Sequence, residues 1–224
     1  MVDSVLIINY KTYAEARGKK GLELSILADS VSKEYNAQII VVPQIPDLSL
    51  IVEKVDIPVF SQHIDSLPSG NATGHIDANT LLEIGISGTL LNHSERRLEI
   101  SILEASIEIC KSIGLKSVVC AGTIGLSGAI ASLNPWAVAM EPPELIGGDI
   151  SVTTRPEVVR SAVSAISDKS TTTLPLTGAG VKTDEHIKKA IELGSKGVLL
   201  ASGIVKAKNQ KETLEKMAKS LVNY

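Results

Sequence analysis

Residues 109–120 read ICKSIGLKSVVC, which is a stretch of helical character, a glycine, and then a short run of small and β-branched apolar residues. Gly114 follows the helical stretch, at the position where a left-handed residue commonly caps a helix. The same order recurs at 81–91 (LLEIGISGTLL) and at 191–200 (IELGSKGVLL), each with a glycine at the joint. Joints this short between helix and strand are typical of parallel α/β sheets. The repeated joint therefore predicts strands that alternate with helices.

Short apolar runs continue this alternation along the whole chain. They are Val5–Asn9, Gln38–Pro43, Pro58–Gln62, Gly88–Asn92, Lys116–Ala121, Ala137–Glu141, Thr172–Thr177 and Gly197–Ala201. Each run is apolar through most of its length, as expected of parallel strands covered on both faces. Segments with helical periodicity lie between them, including Gly21–Tyr35, Leu98–Ile113, Pro156–Ser167 and Asp184–Leu193.

Eight strands alternating with helices predict a (β/α)8 barrel. With 224 residues it would be a compact one, since such barrels typically have roughly 250. A doubly wound sheet is the rival architecture. The chain has no G-x-G-x-x-G after its first strand, which weakens that alternative. No low-complexity linker interrupts the pattern, so we expect residues 1–224 to form a single domain.

Composition and charge narrow the class of function. A net charge of −3, with one Trp, four Tyr and one Phe, leaves neither a basic face nor stacking rings for nucleic acid. No apolar run approaches the roughly 18 residues of a membrane span, and MVDSVLIINYK has no basic signal-peptide start. Cys110 and Cys120 form neither a disulfide framework nor a CxxC pair. We therefore expect a cytoplasmic protein that binds neither nucleic acid nor membranes.

Polar residues cluster where the predicted strands end. They are Asn9-Tyr10-Lys11, Asn92-His93-Ser94-Glu95-Arg96-Arg97, Glu141, Thr177-Gly178-Ala179-Gly180 and Ala201-Ser202-Gly203. In a barrel all these ends meet on one rim, where the active site lies. Main-chain amides at glycine turns bind phosphate, a lysine stabilises a developing oxyanion, and a histidine and a glutamate can exchange protons with a carbonyl compound. The rim therefore predicts a site for a phosphorylated carbonyl compound.

The stretch AMEPPELIGG at 139–148 adds a rigid acid to this rim. Glu141 ends an apolar strand, where a carboxylate is costly to bury unless it is paired or protonated. Pro142 and Pro143 hold it extended, and Gly147 and Gly148 give the far end backbone freedom and two exposed amides.

Taken singly, each of these residues also has a plain structural interpretation: a solvated lysine, a satisfied loop histidine, a paired glutamate or a tight turn. A metal site is another alternative, because the tripeptide HID occurs at 63–65 and again at 75–77. The turn-rich sequence between the two copies makes coincidence the better explanation of that repeat.

Five motifs together resemble one family, the triosephosphate isomerases, in particular their short archaeal form. They are NYK at 9–11, NHSERR at 92–97, MEPPELIG at 140–147, TGAGV at 177–181 and GVLLASG at 197–203. The resemblance covers nearly the whole chain, and every motif stands at a strand end in the family's order. It implies a TIM barrel that interconverts D-glyceraldehyde 3-phosphate and dihydroxyacetone phosphate in glycolysis and gluconeogenesis, with no cofactor and no metal.

The resemblance also implies roles for individual residues. His93 would be the electrophile, Glu141 the base that moves the proton, and Lys11 the cation in the pocket, with Asn9 beside it and Glu95 supporting it. Substrate-binding main chain would come from Ile146, Gly147, Gly180, Ala201 and Ser202. Thr73 would reach a neighbouring subunit's active site, in a dimer through residues 63–76 or in a tetramer. The segment after Glu141 would close as a lid and exclude water.

The sequence departs from the family at one place, and two other functions compete with isomerisation. After Ile146 the family commonly reads Gly-Thr-Gly, whereas this chain reads Gly147-Gly148-Asp149. A Schiff-base aldolase on the same barrel would use Lys11 as its nucleophile. A phosphate-binding barrel without catalysis would explain the glycine turns but would leave His93 and Glu141 without a role.

Overall fold

The computed structural model describes residues 4–67, 70–145, 148 and 150–222. The strands are β1 Val5–Asn9, β2 Gln38–Val42, β3 Phe60–Ser61, β4 Gly88–Leu91, β5 Lys116–Ala121, β6 Ala137–Met140, β7 Leu174–Thr177 and β8 Gly197–Leu200. The helices are α1 Lys19–Tyr35, α2 Leu48–Val52, α3 Ala78–Glu83, α4 Ile100–Ile113, α5 Ile124–Ala131, α6 Pro156–Ser167, α7 Asp184–Glu192, α8 Ser202–Val205 and α9 Gln210–Val222. Within these ranges no helix combines the length and the apolar character that crossing a membrane requires.

The eight strands form one parallel sheet that curves into a nearly closed barrel. Their order is β2-β1-β8-β7-β6-β5-β4-β3, so each strand lies beside its neighbours in sequence, and β1 lies beside β8. A parallel bridge between Val41 and Val59 joins the two outer strands and brings the ring together. The (β/α)8 TIM barrel predicted from the sequence is confirmed.

Alternate strand residues build two apolar layers. One set, including Ile7, Ile40, Leu90 and Leu199, packs inside the barrel with Phe60. The other set packs outward against the helices, and it includes Leu6, Ile8, Val41, Val119 and Val198. Burial on both faces explains why these strands read as continuous apolar runs rather than alternating ones.

The glycine joints have the predicted left-handed backbone. Gly85, Gly114 and Gly194 have φ values of +94°, +80° and +97°. Gly114 caps α4 by donating its N–H to the carbonyl oxygens of Cys110 and Lys111. Each joint turns the chain from a helix directly into the next strand, which points all the strands the same way.

Several predicted boundaries were wrong by one or two residues at an end. The run predicted to reach Asn92 stops at Leu91, because Asn92 has a φ of +57° and cannot continue a strand. Helix α4 starts at Ile100 rather than Leu98, since the Leu98 N–H donates to the Asn92 side chain at 3.0 Å. Four further corrections concern strands. Regular pairing in β2, β6 and β8 stops one residue earlier than predicted, and β3 is reduced to two residues.

Strand β7 begins at Leu174 instead of Thr172 because the preceding residues form a turn. The N–H groups of Thr172 and Thr173 donate to the Ser170 hydroxyl at 3.4 and 3.1 Å, and this local bonding replaces strand pairing. Helix α7 ends at Glu192, one residue before its predicted end, and the Leu193 N–H closes its last turn.

Candidate active site

A cavity of about 450 Å³ lies at the carboxyl ends of the strands. Eight of the residues predicted from the strand ends line it, and they are Asn9, Lys11, His93, Glu141, Ala179, Gly180, Ala201 and Ser202. They follow five different strands, which the barrel brings to one rim.

Lys11 is held in the cavity wall by its main chain as well as its charge. Its backbone has a φ of +47°, an unusual conformation for a residue other than glycine. The Asn9 side chain accepts its N–H at 2.9 Å, and Gln62 donates to its carbonyl oxygen at 2.9 Å. The Lys11 ammonium donates to the Glu95 carboxylate at 2.8 Å. These contacts fix a cation at the rim, with the ammonium engaged in an ion pair.

His93 is buried, and its hydrogen bonding assigns the position of its proton. Its Nδ1 accepts the backbone N–H of Glu95 at 3.2 Å. A ring nitrogen that accepts a hydrogen bond carries no proton, so the neutral ring has its N–H at Nε2. That Nε2 lies 3.7 Å from Oε2 of Glu141. The donor of His93 and the carboxylate therefore face the same space.

Glu141 is a buried carboxyl group with an unused oxygen. The residue is 7% exposed, and its Oε2 has no hydrogen-bond partner among the described residues. Burial raises the pKa of Glu141 above the ordinary 4.5. This effect outweighs three that lower the pKa, which are the charge interaction with His93, the hydrogen bond with Cys120 and the charge of Lys11. A carboxylate in this setting holds a proton more readily than one in water, as a base that accepts a proton from carbon requires.

Two neighbouring strands shape the space around Glu141. A Cβ on Gly178, just after β7, would stand 2.5 Å from Cγ of Glu141 and 2.7 Å from its Oε1. Cys120 of β5 is buried against the same carboxyl group, and burial together with Glu141 raises the pKa of its thiol well above the ordinary value. The glutamate thus occupies a slot that a larger residue at position 178 would fill.

The wall after β7 and β8 consists largely of main chain. Gly180 has a φ of +67°, and a Cβ there would overlap the Ile150 carbonyl oxygen, so glycine is required by both conformation and space. Ala201 and Ser202 begin α8 on the adjoining wall. The other predicted substrate-binding positions, Ile146 and Gly147, lie outside the described residues, as does Asp149.

Comparison with known proteins identifies the family. The family model described as triosephosphate isomerase matches residues 4–220. The chain belongs to the triosephosphate isomerase family. A triosephosphate isomerase of Methanocaldococcus jannaschii is 47% identical over 216 residues, which is 96% of this chain and 99% of the relative. One of Methanosarcina acetivorans is 43% identical over 94% of this chain and 95% of its own length. One of Archaeoglobus fulgidus is 44% identical over 95% and 96%. The protein is therefore an enzyme of the isomerase class.

Thr73, for which the triosephosphate isomerase resemblance implies a subunit contact, lies away from the chain's own cavity. It stands in an exposed turn of the segment that connects β3 to α3, and it is absent from the lining of the cavity. Beside the cavity is a second depression of about 1,000 Å³, lined in part by Lys11, His93, Glu95 and Gln62. The two depressions share the Lys11 and His93 wall.

The two HID tripeptides do meet, but around a shared carboxylate. Asp65 lies 3.1 Å from Nε2 of His63 and 3.4 Å from Nδ1 of His75, and it accepts the Ile76 N–H at 2.7 Å. Asp77 instead caps α3, accepting the N–H of Thr80 at 3.0 Å. Among the residues that the structure describes, no group of three or more His, Cys, Asp or Glu side chains could hold a metal ion.

Sequence reasoning missed three residues of the site. Gln62, just after β3, donates to the Lys11 and Val42 carbonyl oxygens at 2.9 and 3.3 Å and joins the ends of β1 and β2. The same rule that selected polar strand ends would have selected Gln62. Tyr13 and Lys182 also line the cavity. Tyr13 lies two residues and Lys182 one residue beyond a triosephosphate isomerase motif, so only the loop conformation reveals them.

Proposed function

We propose that the protein interconverts D-glyceraldehyde 3-phosphate and dihydroxyacetone phosphate by moving one proton between adjacent carbons. The family membership and the names of the relatives support the substrate class. The observation that carries the reaction is the pairing of Glu141 Oε2 with His93 Nε2 at 3.7 Å, in a cavity that Lys11 also lines. The base, the hydrogen-bond donor and the cation therefore face one cavity, where a substrate carbonyl can contact all three.

Glu141 is the base of the proposed reaction. Its free Oε2 takes the proton from the substrate carbon next to the carbonyl and returns it to the neighbouring carbon. Burial favours this exchange, because the raised pKa of the carboxyl group lies closer to that of the carbon acid than the pKa of an exposed glutamate. The proton needs no cofactor and no metal, since a single carboxylate carries it.

His93 and Lys11 act on the oxygen atoms of the substrate. As the proton leaves carbon, negative charge develops on the carbonyl oxygen and an enediolate forms. The Nε2–H of His93 donates to that oxygen, and the ammonium of Lys11 stabilises the charge. Glu95 supports both, because its main chain holds the histidine ring and its side chain holds the lysine.

The phosphate group occupies the main-chain wall of the cavity. The left-handed turn at Gly180 and the chain at Ala201 and Ser202 present backbone without bulky side chains, which suits an anion. Ile146 and Gly147 complete this wall in the proposal, as the resemblance implies. Closure of the segment that contains them excludes water, which protects the enediolate from losing phosphate.

The first test is a coupled isomerase assay with glyceraldehyde 3-phosphate on the native chain and on Glu141→Gln. We expect rapid turnover by the native chain and a loss of at least about a thousandfold in the variant, roughly 4 kcal/mol of barrier. Glu104→Gln, an exposed change on α4, is the matched control and should keep native activity. If the native chain is inactive but still binds phosphoglycolate, the proposal is wrong and the protein binds phosphate compounds without isomerising them.

Assembly and location complete the proposal. A homo-oligomer, dimer or tetramer, would place Thr73 of one subunit in the depression beside Lys11 and Glu95 of another, and the size of that depression supports such a contact. Residues 1–224 would act as one catalytic domain. The cytoplasmic location stays a prediction, and cell fractionation with an antibody against the chain tests it.

A further inference from the structure

Lys182 is a second lysine on the wall of the substrate cavity. Lys11 follows β1, whereas Lys182 lies beyond the end of β7. Strand β8 stands between those two strands in the sheet, and its end carries Ala201 and Ser202. The two lysines therefore flank the main-chain wall from opposite sides.

The main chain at Lys182 is held in place by two neighbours. Its N–H donates to Nδ1 of His186, in the first turn of α7, at 3.2 Å. On the other side, a Cβ on Gly203 would stand only 2.8 Å from Cα of Lys182 and 3.0 Å from the Val181 carbonyl oxygen. The turn after β7 and the start of α8 are thus pressed together. This close packing brings Lys182 to the wall formed by Ala201 and Ser202.

The charge in the cavity is incomplete without this lysine. Among the described residues that line the cavity, the ionisable groups with a formal charge are Lys11, Lys182 and Glu141, while His93 has the bonding of a neutral ring. Lys11 is already paired with Glu95 at 2.8 Å, so without Lys182 the ionised Glu141 would leave the cavity with no net positive charge. A triose phosphate carries a phosphate group with nearly two negative charges, and such a cavity would not favour a dianion.

We propose that Lys182 is a further substrate-binding residue, which contacts the phosphate group of the substrate while Lys11 serves the carbonyl end. The inference rests on the proposed function, because it assigns the phosphate to the wall after β7 and β8. It makes Lys182 a residue that distinguishes phosphorylated from unphosphorylated trioses. The Lys182 residue is half-buried, and its charge would strengthen ground-state and transition-state binding alike, so the effect belongs mainly to KM.

The test compares Lys182→Met with Lys182→Arg, and with Lys208→Met as a control for the loss of one exposed charge near α8. The measurements are KM and kcat for glyceraldehyde 3-phosphate, the inhibition constant of inorganic phosphate, and kcat/KM for unphosphorylated glyceraldehyde. We expect Lys182→Met to raise both KM and the inhibition constant about tenfold, with a smaller change in kcat. The preference for the phosphorylated substrate should fall by about the same factor, and Lys182→Arg should restore most of it.

Two outcomes would overturn the inference in distinguishable ways. If Lys182→Met behaves like Lys208→Met while the native enzyme is active and inhibited by phosphate, Lys182 has no part in binding and the proposed function stands. If the native enzyme neither isomerises the substrate nor binds phosphate, the proposed function and this inference fall together. An equal loss for both substrates would assign Lys182 a purely structural role and would also contradict the proposal.

Discussion

At the scale of single residues, the site is built around a carboxyl group in an unfavourable place. Glu141 is buried and keeps one oxygen without a partner among the described residues, which destabilises its ionised form. A structural carboxylate would have a full set of donors. A missing partner of this kind is expected of the base that we propose Glu141 to be, at some cost in stability.

The raised pKa of Glu141 predicts how stability changes with pH. Because folding raises this pKa above 4.5, its ordinary value, the folded state holds the proton more tightly than the unfolded chain. Its stabilising contribution is complete below about pH 4.5 and is lost as pH rises through the folded-state pKa. Glu141→Gln should therefore be more stable than the native chain at neutral pH, with Tm higher by about 2–4 °C, equivalent to about 1 kcal/mol for a chain of this size.

Thermal unfolding between pH 4 and 8 measures this difference. The gap in Tm between Glu141→Gln and the native chain should widen from about pH 4.5 upward and then become constant. Glu104→Gln removes an exposed carboxyl group and should show no such widening. A gap that is constant over the whole range, or one that narrows with rising pH, would contradict the burial of an ionisable Glu141.

The sequence predicted which residues stand at the rim but not what surrounds each of them. Lys11, His93 and Glu141 could be selected because polar residues directly follow apolar strands. The contacts of Glu141 with Cys120 and Gly178 could not be predicted in this way, since they come from strands β5 and β7, far away in sequence. Such long-range neighbours depend on how the strands align in the barrel, which the presence of a polar residue after an apolar run does not give.

At the scale of elements, regular strand structure ends at the residues that we propose to be functional. Asn92 and Lys11 have positive φ, and Pro142 follows Glu141, so regular pairing stops just where the functional side chains begin. For this reason the predicted strands β4 and β6 were each one residue too long. The helix–strand joints were predictable because a glycine marks each one. The presence of β3 was predicted too, but its length was not, since only Phe60 and Ser61 pair regularly.

The end of β7 yields a prediction about the slot that holds Glu141. Gly178→Ala would place a methyl group 2.5 Å from Cγ of Glu141, so the glutamate must move away from its position opposite His93. A displacement of about 1 Å in a catalytic group costs about 100-fold in rate, and we expect kcat to fall by about that factor. Isomerase assays together with circular dichroism measure the loss and show whether the variant is folded.

Gly125→Ala provides the matched control for that change. A Cβ at Gly125 in α5 meets nothing within 4 Å, so this variant should keep native kcat and gain a little helix stability. Unchanged kcat in a folded Gly178→Ala would show that Glu141 does not need its observed position. Equal losses in both variants would point to a general effect of adding a side chain.

At the scale of the whole molecule, the substrate cavity is one of two adjoining depressions. The larger one, of about 1,000 Å³, shares the Lys11 and His93 wall and opens beside Glu95. A single subunit leaves this depression open to water, which would weaken the ion pair between Lys11 and Glu95. Filling it from a second copy would dry the pair and couple assembly to catalysis. In the proposed function one chain supplies all the reacting side chains, and we infer that a second copy excludes water from the site and so lowers its dielectric constant.

Thr73 is the residue at which this coupling can be tested. In the proposed assembly Thr73→Arg inserts a bulky cation next to Lys11 of the partner, where both steric overlap and like charge oppose association. We expect the native protein to have at least twice the chain mass of 23.7 kDa by light scattering, and the variant to shift toward the monomer mass with kcat/KM lower by about tenfold or more. Thr171→Arg adds the same side chain at an exposed position before β7, at the opposite end of the barrel, and should leave both mass and activity unchanged. A native mass of one chain, or a Thr73→Arg variant that stays assembled and active, would move the subunit contact away from residue 73, and the open depression would then need a different occupant.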